Sequence, residues 1–508
     1  MHDIKAIRSA LISVYSKTGL DPIVSNLNKL GIKIYSTGGT AEYIRKLGVE
    51  VHRVEALTNY PSILGGRVKT LHPKVFGGIL ARRHEANDMK QLLEYDIPEI
   101  DLVIVDLYPF EETLKETDQE EKIIEKIDIG GISLIRAAAK NYKDCLVLAS
   151  RQQYSSFGKL LTEKKGESNL IERRNYALEA FRVSAHYDSA ISQYFSGNED
   201  EGLEIKFSKG QSLRYGENPH QKALFFGAFD DAFIQLNGKA ISYNNLVDID
   251  SAVRVMADFE GITVAVIKHT NTCGLAERDS LIEAWNNALA GDPVSAFGGI
   301  VICNRTMNLE TAAEINKLFV EVVIAPDYDS DALEILKSKK NRILLQQKLF
   351  EFGHSQFKSL LNGVLWQQTN LNTESDADMK PTTIIEPTPE ELEDLVFANK
   401  AVKHLKSNAI ALVKNRQLIG IGTGQTSRVA ALEQAISKAK AFHFDLKGAV
   451  MASDAFFPFP DCVEIANNEG IKAIVQPGGS IRDQQSIDYC NEHQIAMVFT
   501  GIRHFKHG

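Results

Sequence analysis

Lys268 and His269 stand side by side at the end of the apolar run Ile262–Ile267 and before Thr270-Asn271-Thr272-Cys273-Gly274. They offer a fixed cation beside a group that titrates near neutral pH; an ordinary wet strand end would use the same residues. A second concentration lies at 64–79, LGGRVKTLHPKVFGGI, where Arg67, Lys69, His72 and Lys74 crowd between two glycine pairs. The arginine fork suits phosphate or carboxylate, and lysine adds a compact cation. So many glycines mark a binding loop. Small residues also precede predicted helices at Ser36-Thr37-Gly38-Gly39-Thr40, Asp128-Ile129-Gly130-Gly131 and Gly422–Arg428. Backbone N–H groups at a helix start, with the helix dipole behind them, suit an anion. None has the spacing of a Walker loop or a G-x-G-x-x-G fingerprint. Phe456-Phe457-Pro458-Phe459-Pro460-Asp461 reads as an apolar wall for a flat ring, with core filling as its plainer use.

The elements that must position these residues alternate. Strand Ala10–Val14 feeds the turn Tyr15–Gly19 and a helix to about Leu30. Strand Lys33–Tyr35 leads through the Ser36–Thr40 loop to helix Ala41–Leu47. Asp101–Leu107 is a further buried strand, ending in Tyr108. A charged helix is predicted over Thr113–Ile127 and another over Ile132–Asn141, whose Arg136 and Lys140 share one face. A strand at 146–150 and helical periodicity over 151–195 follow, and the polar stretch Gly197–Gly202 marks a domain boundary. Beyond it, Ser212–Gln221 reads as a loop, 262–267 as a strand, Ser280–Ala290 as a helix and 291–299 as a glycine-rich loop before strand Ile300–Cys303. The stretch 338–388 reads as connecting structure, 389–406 as a helix and 409–421 as a hairpin. Alternation resumes to Phe499 and predicts a second α/β unit.

At 508 residues the chain is too long for one core. Its 57 Lys+Arg against 66 Asp+Glu give a net charge of -9, which argues against bulk nucleic-acid binding but not against a local basic pocket. Five cysteines without a C-x-x-C pair suggest neither a disulfide framework nor a zinc site, and read as reduced thiols of a cytoplasmic protein. The opening stretch lacks a signal-peptide pattern, and no run of about 18 apolar residues predicts a membrane span.

Nine motifs in order, HPKVFGG, DIGGISLIRAAAKN, LRYGENPHQ, IKHTNTCG, DPVSAFGG, IGTGQTSR, SDAFFPFPD, QPGGSIRD and GIRHFKH, span essentially the whole chain. Together they resemble the bifunctional purine biosynthesis family that joins an IMP cyclohydrolase to an AICAR (aminoimidazole carboxamide ribonucleotide) formyltransferase. The resemblance implies a methylglyoxal-synthase-like parallel-sheet domain over 1–200, with its core at about 1–150 and a helical linker. It implies a cytidine-deaminase-like α/β region of two related subdomains over 201–508. The implied reactions are formyl transfer from 10-formyltetrahydrofolate to AICAR, giving FAICAR, and dehydrative closure of FAICAR to IMP. The family is a homodimer with formyltransferase sites built across the interface and uses no zinc, and the deaminase pattern H-x-E with P-C-x-x-C is missing here. No metal is expected, a monovalent cation aside.

Carried over motif by motif, Lys69, Tyr108, Asp128 and Lys140 would close the ring, with Ser13, Lys17, Ser36, Thr37, Gly38, Gly39, Thr40 and Arg67 on the nucleotide. In transfer, His269 would take the amine proton and Lys268 would stabilise charge on the formyl oxygen or folate nitrogen. Arg214, Tyr215, Asn245, Gly298, Asn408, Ser427, Arg428, Arg503, Phe505 and His507 match nucleotide or supporting positions, and Phe456, Pro458 and Asp461 the folate wall. Two departures stand out. Ser13-Val14-Tyr15-Ser16-Lys17 replaces the commoner Ser-Val-Ser-Asp-Lys, so no role passes to Tyr15 or Ser16. Ile132-Ser133 follows Gly130-Gly131 where a proline is commoner, which can shift the helix start. Two other readings stay open: a purely regulatory nucleotide-binding module at 1–200, and a formyltransferase using formate and ATP, for which no Walker loop speaks.

Overall fold

The computed structural model describes residues 4–197 and 210–507. The chain divides into two compact units, residues 1–204 and 205–508. The boundary expected at 197–202 falls, apart from Gly197, outside the described residues.

The N-terminal unit is built on five parallel strands: β1 (Ser9–Val14), β2 (Lys33–Ser36), β3 (His52–Arg53), β4 (Leu102–Asp106) and β5 (Leu146–Leu148). Their order is β3-β2-β1-β4-β5. Strands covered on both faces read as continuous apolar runs, as Ala10-Leu11-Ile12 and Leu102–Val105 do, and all these residues are buried. Helices α1 (Leu20–Lys29), α2 (Gly38–Lys46), α3 (Pro73–Leu80), α4 (Gly130–Lys140) and α5 (Leu170–Ser196) include those that cover the sheet. A reciprocal Asn169–Glu172 capping box starts α5. Ala177 and Ala180 of α5 join the core beside Leu134 and Ala138 of α4, so this helix is part of the unit's packing.

Three local expectations need correction here. The charged helix over 113–127 is two short helices, Phe110–Glu116 and Glu120–Ile124. The glycine-rich loop of 64–79 is a loop only to His72, because His72 Nδ1 accepts from the Lys74 N–H and Pro73 opens the first turn of α3. Periodicity over 151–195 spans two helices, since Lys165 and Gly166 with positive φ turn the chain between Tyr154–Glu163 and α5.

The C-terminal unit repeats itself. Its first half runs through α6 (Tyr243–Met256), β6 (Ile262–Lys268), β7 (Asn271–Arg278), α7 (Leu281–Gly291), β8 (Ile300–Cys303), α8 (Leu309–Lys317), β9 (Val322–Ala325), α9 (Ser330–Lys337) and β10 (Ile343–Gln347). The second runs through α10 (Pro389–Lys403), β11 (Ile410–Lys414), β12 (Gln417–Gly422), α11 (Arg428–Ala441), β13 (Val450–Ser453), α12 (Asp461–Asn468), β14 (Ala473–Gln476), α13 (Asp483–Glu492) and β15 (Ala496–Phe499). With edge strands Phe233–Asn237 and Lys380–Pro381, these make one twelve-stranded mixed sheet. In each half an antiparallel hairpin is followed by three parallel strands. The halves meet where β7 and β12 pair antiparallel at Ala276–Gln417. Two glycines show how closely the repeat is kept. A Cβ on Gly274 would lie 2.0 Å from the Ala288 carbonyl oxygen of α7, and one on Gly420 would lie 2.4 Å from that of Ala435 in α11. Both strands let the following helix touch their backbone. The stretch 338–388 holds more than connecting structure: β10 and a separate hairpin, Ser355–Leu360 with Gly363–Gln368, lie in it.

Candidate active sites

At the carboxyl ends of β1, β2 and β4 the N-terminal unit opens a pocket of about 660 Å³. One end is backbone and hydroxyl. Thr37 begins α2 without capping it by its side chain, and Gly38 takes φ 41°, so the first turn faces the pocket uncapped. Ser13 Oγ lies 3.4 Å from Thr37 Oγ1. Thr40 Oγ1 donates to the Val14 carbonyl at 3.0 Å and braces the turn after β1. Lys17 Nζ donates to the Val14 and Tyr15 carbonyls at 2.5 and 2.9 Å. Burial, with help from the charge of Lys69 and against that of Asp106, pulls the Lys17 pKa down. Ser36 is brought to the loop but not to the pocket: its Oγ is buried and donates to the Ile12 carbonyl at 2.6 Å.

The other end holds Lys69, Tyr108 and Asp128. Asp128 stands just before α4, and Gly131 N–H donates to its Oδ1 at 2.6 Å. Burial raises the Asp128 pKa, opposed by N–H groups of Gly131 and Tyr108 and by the Lys69 charge. Burial, then the negative charges of Asp128 and Glu125, raise the Tyr108 pKa, so its hydroxyl stays a donor at neutral pH. A Cβ on Gly131 would come within 2.5 Å of Asp128 Oδ2, which makes the small residue a condition of the carboxylate's position. Arg67 lines the mouth, ion-paired with Glu125; both are exposed.

Tyr15, given no role from the sequence, lines the pocket and meets Tyr108 edge to face at 5.4 Å. Lys126 lies over both rings, at 5.1 and 5.7 Å. Thr70, Asp106 and Glu125 are further lining residues that no motif singled out. Lys140 does not join the group. It ends α4 and opens onto a separate groove of about 640 Å³ with Arg136, Arg174, Phe76, Leu178 and Phe181. His72 and Lys74 also turn elsewhere, His72 to cap α3 and Lys74 to Asp96 at 3.4 Å.

In the C-terminal unit Lys268-His269 is the head of a hairpin, not a strand end opening into a loop. His269 and Thr270 are the two turn residues between β6 and β7, with φ of 51° and 61°. A two-residue turn of this hand needs left-handed backbone at both positions. His269 is thereby exposed, and Lys268 Nζ donates to the Phe297 carbonyl at 2.7 Å, in the loop that Gly298 turns with φ 75°. Because β7 and β12 run antiparallel, the start of β7 and the end of β12 share one end of the sheet, and Gly422–Arg428 follows there.

Ser427 caps α11, accepting from Ala430 N–H at 3.1 Å. Arg428 is buried and spent internally: it donates to Asn408 Oδ1 and Ser453 Oγ at 2.9 Å each, and pairs with Asp454. Asn408 and Arg428 are thus joined to each other. Asn245 is also buried, its side-chain oxygen closing the capping box with Ser242 at the start of α6. Phe456, Pro458 and Phe459 are exposed while Phe457 is fully buried, so three of these four residues face outward; Asp461 begins α12 just after them. Arg503 stacks on Phe505 at 4.4 Å, and Phe505 meets His507 edge to face at 5.5 Å. Arg214 stacks on Tyr215 at 5.4 Å in the loop after Ser212.

No group of three or more His, Cys, Asp or Glu suited to a metal occurs among the described residues, and none of their helices is long and apolar enough to cross a membrane.

Residues 19–133 match the MGS-like domain family, and residues 138–438 match the AICARFT/IMPCHase bienzyme family. The Bifunctional purine biosynthesis protein PurH of Bacteroides thetaiotaomicron is 59% identical over 100% of both chains. The protein of that name from Aquifex aeolicus is 49% identical over 98% of this chain and 100% of its own. That from Acetivibrio thermocellus is 48% identical over 99% and 100%. With matches of this extent across both units, the chain belongs to the AICARFT/IMPCHase bienzyme family of purine biosynthesis.

Proposed function

We propose that residues 1–200 close the purine ring and residues 201–508 transfer the formyl group. The chain is a bifunctional enzyme, an AICAR formyltransferase with a folate co-substrate and an IMP cyclohydrolase. The division of labour rests on one observation above the others. A single N-terminal pocket carries an anion cradle at one end and a lysine, a tyrosine and a shielded carboxylate at the other.

In ring closure the carboxamide nitrogen of FAICAR attacks the formyl carbon and water leaves. A carboxamide is a poor nucleophile, so fixed geometry, proton removal and oxyanion stabilisation must supply the rate. Ser13, Lys17, Thr37, Gly38, Gly39, Thr40 and Arg67 hold the nucleotide phosphate, with Ser36 bracing the loop. Asp128, its pKa raised by burial, accepts the amide proton. Tyr108 and Lys69 donate to the formyl oxygen as its charge grows. Lys140 stands ten residues down α4 from Gly130, about 15 Å along the helix. Lys140 therefore stands apart from the group that acts in this step.

In the C-terminal unit His269 takes the proton from the AICAR amine as it attacks 10-formyltetrahydrofolate, and Lys268 steadies the charge on the formyl oxygen or the leaving nitrogen. Arg214, Tyr215, Gly298, Ser427, Arg503, Phe505 and His507 surround the nucleotide. Asn245, Asn408 and Arg428 support it from behind, and Phe456, Pro458 and Asp461 wall the folate. The family resemblance supports a cytoplasmic homodimer with this site across its interface. Purified protein given FAICAR without folate makes IMP; a rate no faster than the spontaneous one would sink the first half. Lys268→Ala and His269→Ala each abolish steady-state transfer, leaving only a trace resolved in single turnovers, and spare closure; steady-state transfer surviving either change removes that residue's role.

A further inference from the structure

The doubled fold makes the same connection from helix to hairpin twice. In the first half Asp248, sixth residue of α6, accepts from both turn amides, His269 N–H at 3.3 Å on Oδ2 and Thr270 N–H at 2.7 Å on Oδ1. In the second half Asp394, sixth residue of α10, accepts from Asn415 N–H at 2.7 Å and Arg416 N–H at 2.5 Å. All four turn residues are non-glycine with positive φ: 51° and 61° in the first half, 52° and 51° in the second. Left-handed backbone is unfavourable for such residues, for the β-branched Thr270 above all. A carboxylate that takes both amides offsets this and fixes the plane of the turn. The lysine before each turn is matched as well. Lys268 Nζ donates to the Phe297 carbonyl and Lys414 Nζ to the Lys447 carbonyl, both at 2.7 Å, and each carbonyl stands three residues before the next strand.

The second half therefore shows what this stitch does without the histidine, since Asn415 occupies the place of His269 and Arg416, ion-paired with Glu277, that of Thr270. The aspartate and the lysine are common to both halves, and the histidine belongs to one. We propose that Asp248 is a positioning residue for formyl transfer: by holding the His269 and Thr270 amides it sets the direction in which the His269 ring leaves the turn. The proposal rests on the reading that His269 serves transfer. It extends the machinery to a helix residue that no motif singles out, and it treats Asp394 as the same part in a half without the chemistry.

The matched halves supply the test, made on the full-length chain. Asp248→Asn keeps the shape but replaces one acceptor oxygen with an amide donor, so one turn amide loses its partner. Asp394→Asn does the same in the second half. Misplacing a reacting group by about 1 Å can cost about a hundredfold, so D248N should lower the kcat of transfer by about ten- to a hundredfold. Its KM for AICAR should move by less than about threefold, because the turn is to orient a base rather than to bind. Ring closure in the same preparation should be unchanged. D394N should lose comparable thermal stability and keep transfer within about twofold. In a His269→Ala background, followed in single turnovers, D248N should add no further loss. Equal losses of kcat in D248N and D394N would overturn the proposal, because the aspartate would then act only on the fold. An undiminished D248N effect without the histidine would overturn it too, by showing that Asp248 acts elsewhere. Unimpaired transfer in H269A alone would overturn the assignment of His269 itself, a separate failure that removes the proposal with it.

Discussion

His504 sits in the segment that carries Arg503, Phe505 and His507, and its replacement by alanine should release that segment. Its side chain and that of Glu374 are each 2% exposed, with Nε2 2.7 Å from Glu374 Oε2. Asn370 Nδ2 contacts His504 Nδ1 at 3.0 Å, so Nδ1 accepts and Nε2 carries the proton toward the carboxylate. Asn399 Nδ2 donates to the same carboxylate oxygen at 2.7 Å, while the other oxygen, buried, has no partner. A hydrogen bond from a neutral donor to a charged group is worth about 1.5–3 kcal/mol, and the carboxylate's other, unpartnered oxygen argues for the upper end, about 3 kcal/mol. That shifts the balance between docked and free segment by about a hundredfold. What remains is the backbone N–H of His504, which alanine keeps, on the Asp454 carbonyl, Lys506 Nζ on the His404 carbonyl and the reciprocal Lys506–Ser407 bonds, all at 3.0 Å, with Lys358 on the His507 carbonyl at 2.9 Å. His504→Ala should therefore lose most formyl transfer, keep ring closure, and be trimmed faster at the carboxyl end by carboxypeptidase. Transfer within about twofold of the parent, with an unchanged melting midpoint, would refute the reasoning, since no buried bond worth about 3 kcal/mol could then hold the segment. Burial raises the Glu374 pKa, but the His504 and Asn399 hydrogen bonds outweigh it and leave it below 4.5. Stability from that carboxylate is present above pH 4.5 and is lost as the pH falls through the lowered value. Melting curves taken against pH should show this loss only below pH 4.5.

Asp128→Asn should slow ring closure by about a hundredfold or more, measured as IMP formed from FAICAR, with transfer unaffected. Gly131→Ala places a Cβ 2.5 Å from Asp128 Oδ2 and should do nearly as much to closure, while costing about 1–3 kcal/mol in a melting curve. All five cysteines are buried, and burial pushes the thiol pKa values of Cys145, Cys273, Cys303, Cys462 and Cys490 up to about 12. Native protein should resist iodoacetamide at pH 8, by mass spectrometry, and take five labels only when unfolded.

The alternation of apolar runs and small-residue turns was enough to read both α/β units, because parallel strands buried on both faces leave an unbroken apolar signature. Length misled where a polar stretch proved to be structure. Asn271–Arg278 pairs into the sheet despite Asn271, Thr272 and Glu277, because its partners β6 and β12 cover it on both edges. The candidate sites were legible where a motif and a loop coincide, as at Thr37–Thr40 and Asp128–Gly131. Lys140 shows the limit: its spacing from Asp128 is a fact of sequence, but a helix carries it into a different groove. Tyr15 and Asp248 lay outside reach for another reason. One faces the pocket through a ring contact with Tyr108, 93 residues away by number, and the other acts through a turn 21 residues on. No local pattern records either.

The doubling in the C-terminal unit sets a problem for the folding chain. Two hairpins of one design, each with a lysine at its tip and an anchoring aspartate, must not exchange places. The seam between β7 and β12 is a single bridging pair, so backbone pairing says little about which edge belongs to which. Side chains at one end of the seam say more. Arg278 reaches the Asn415 carbonyl at 2.6 Å, Asn287 Oδ1 at 2.8 Å and Gln417 Oε1 at 3.1 Å, and Arg416 meets Glu277 at 3.1 Å. The corresponding end of β12, Gly422-Thr423-Gly424, has no charge to answer with. The arginines key one end of the joint, and Asp292 with Lys438, 2.7 Å apart across the two halves, ties it again nearer the end that His269 shares. A chain that lost Arg278 would be expected to refold into misregistered or domain-swapped species more than to unfold.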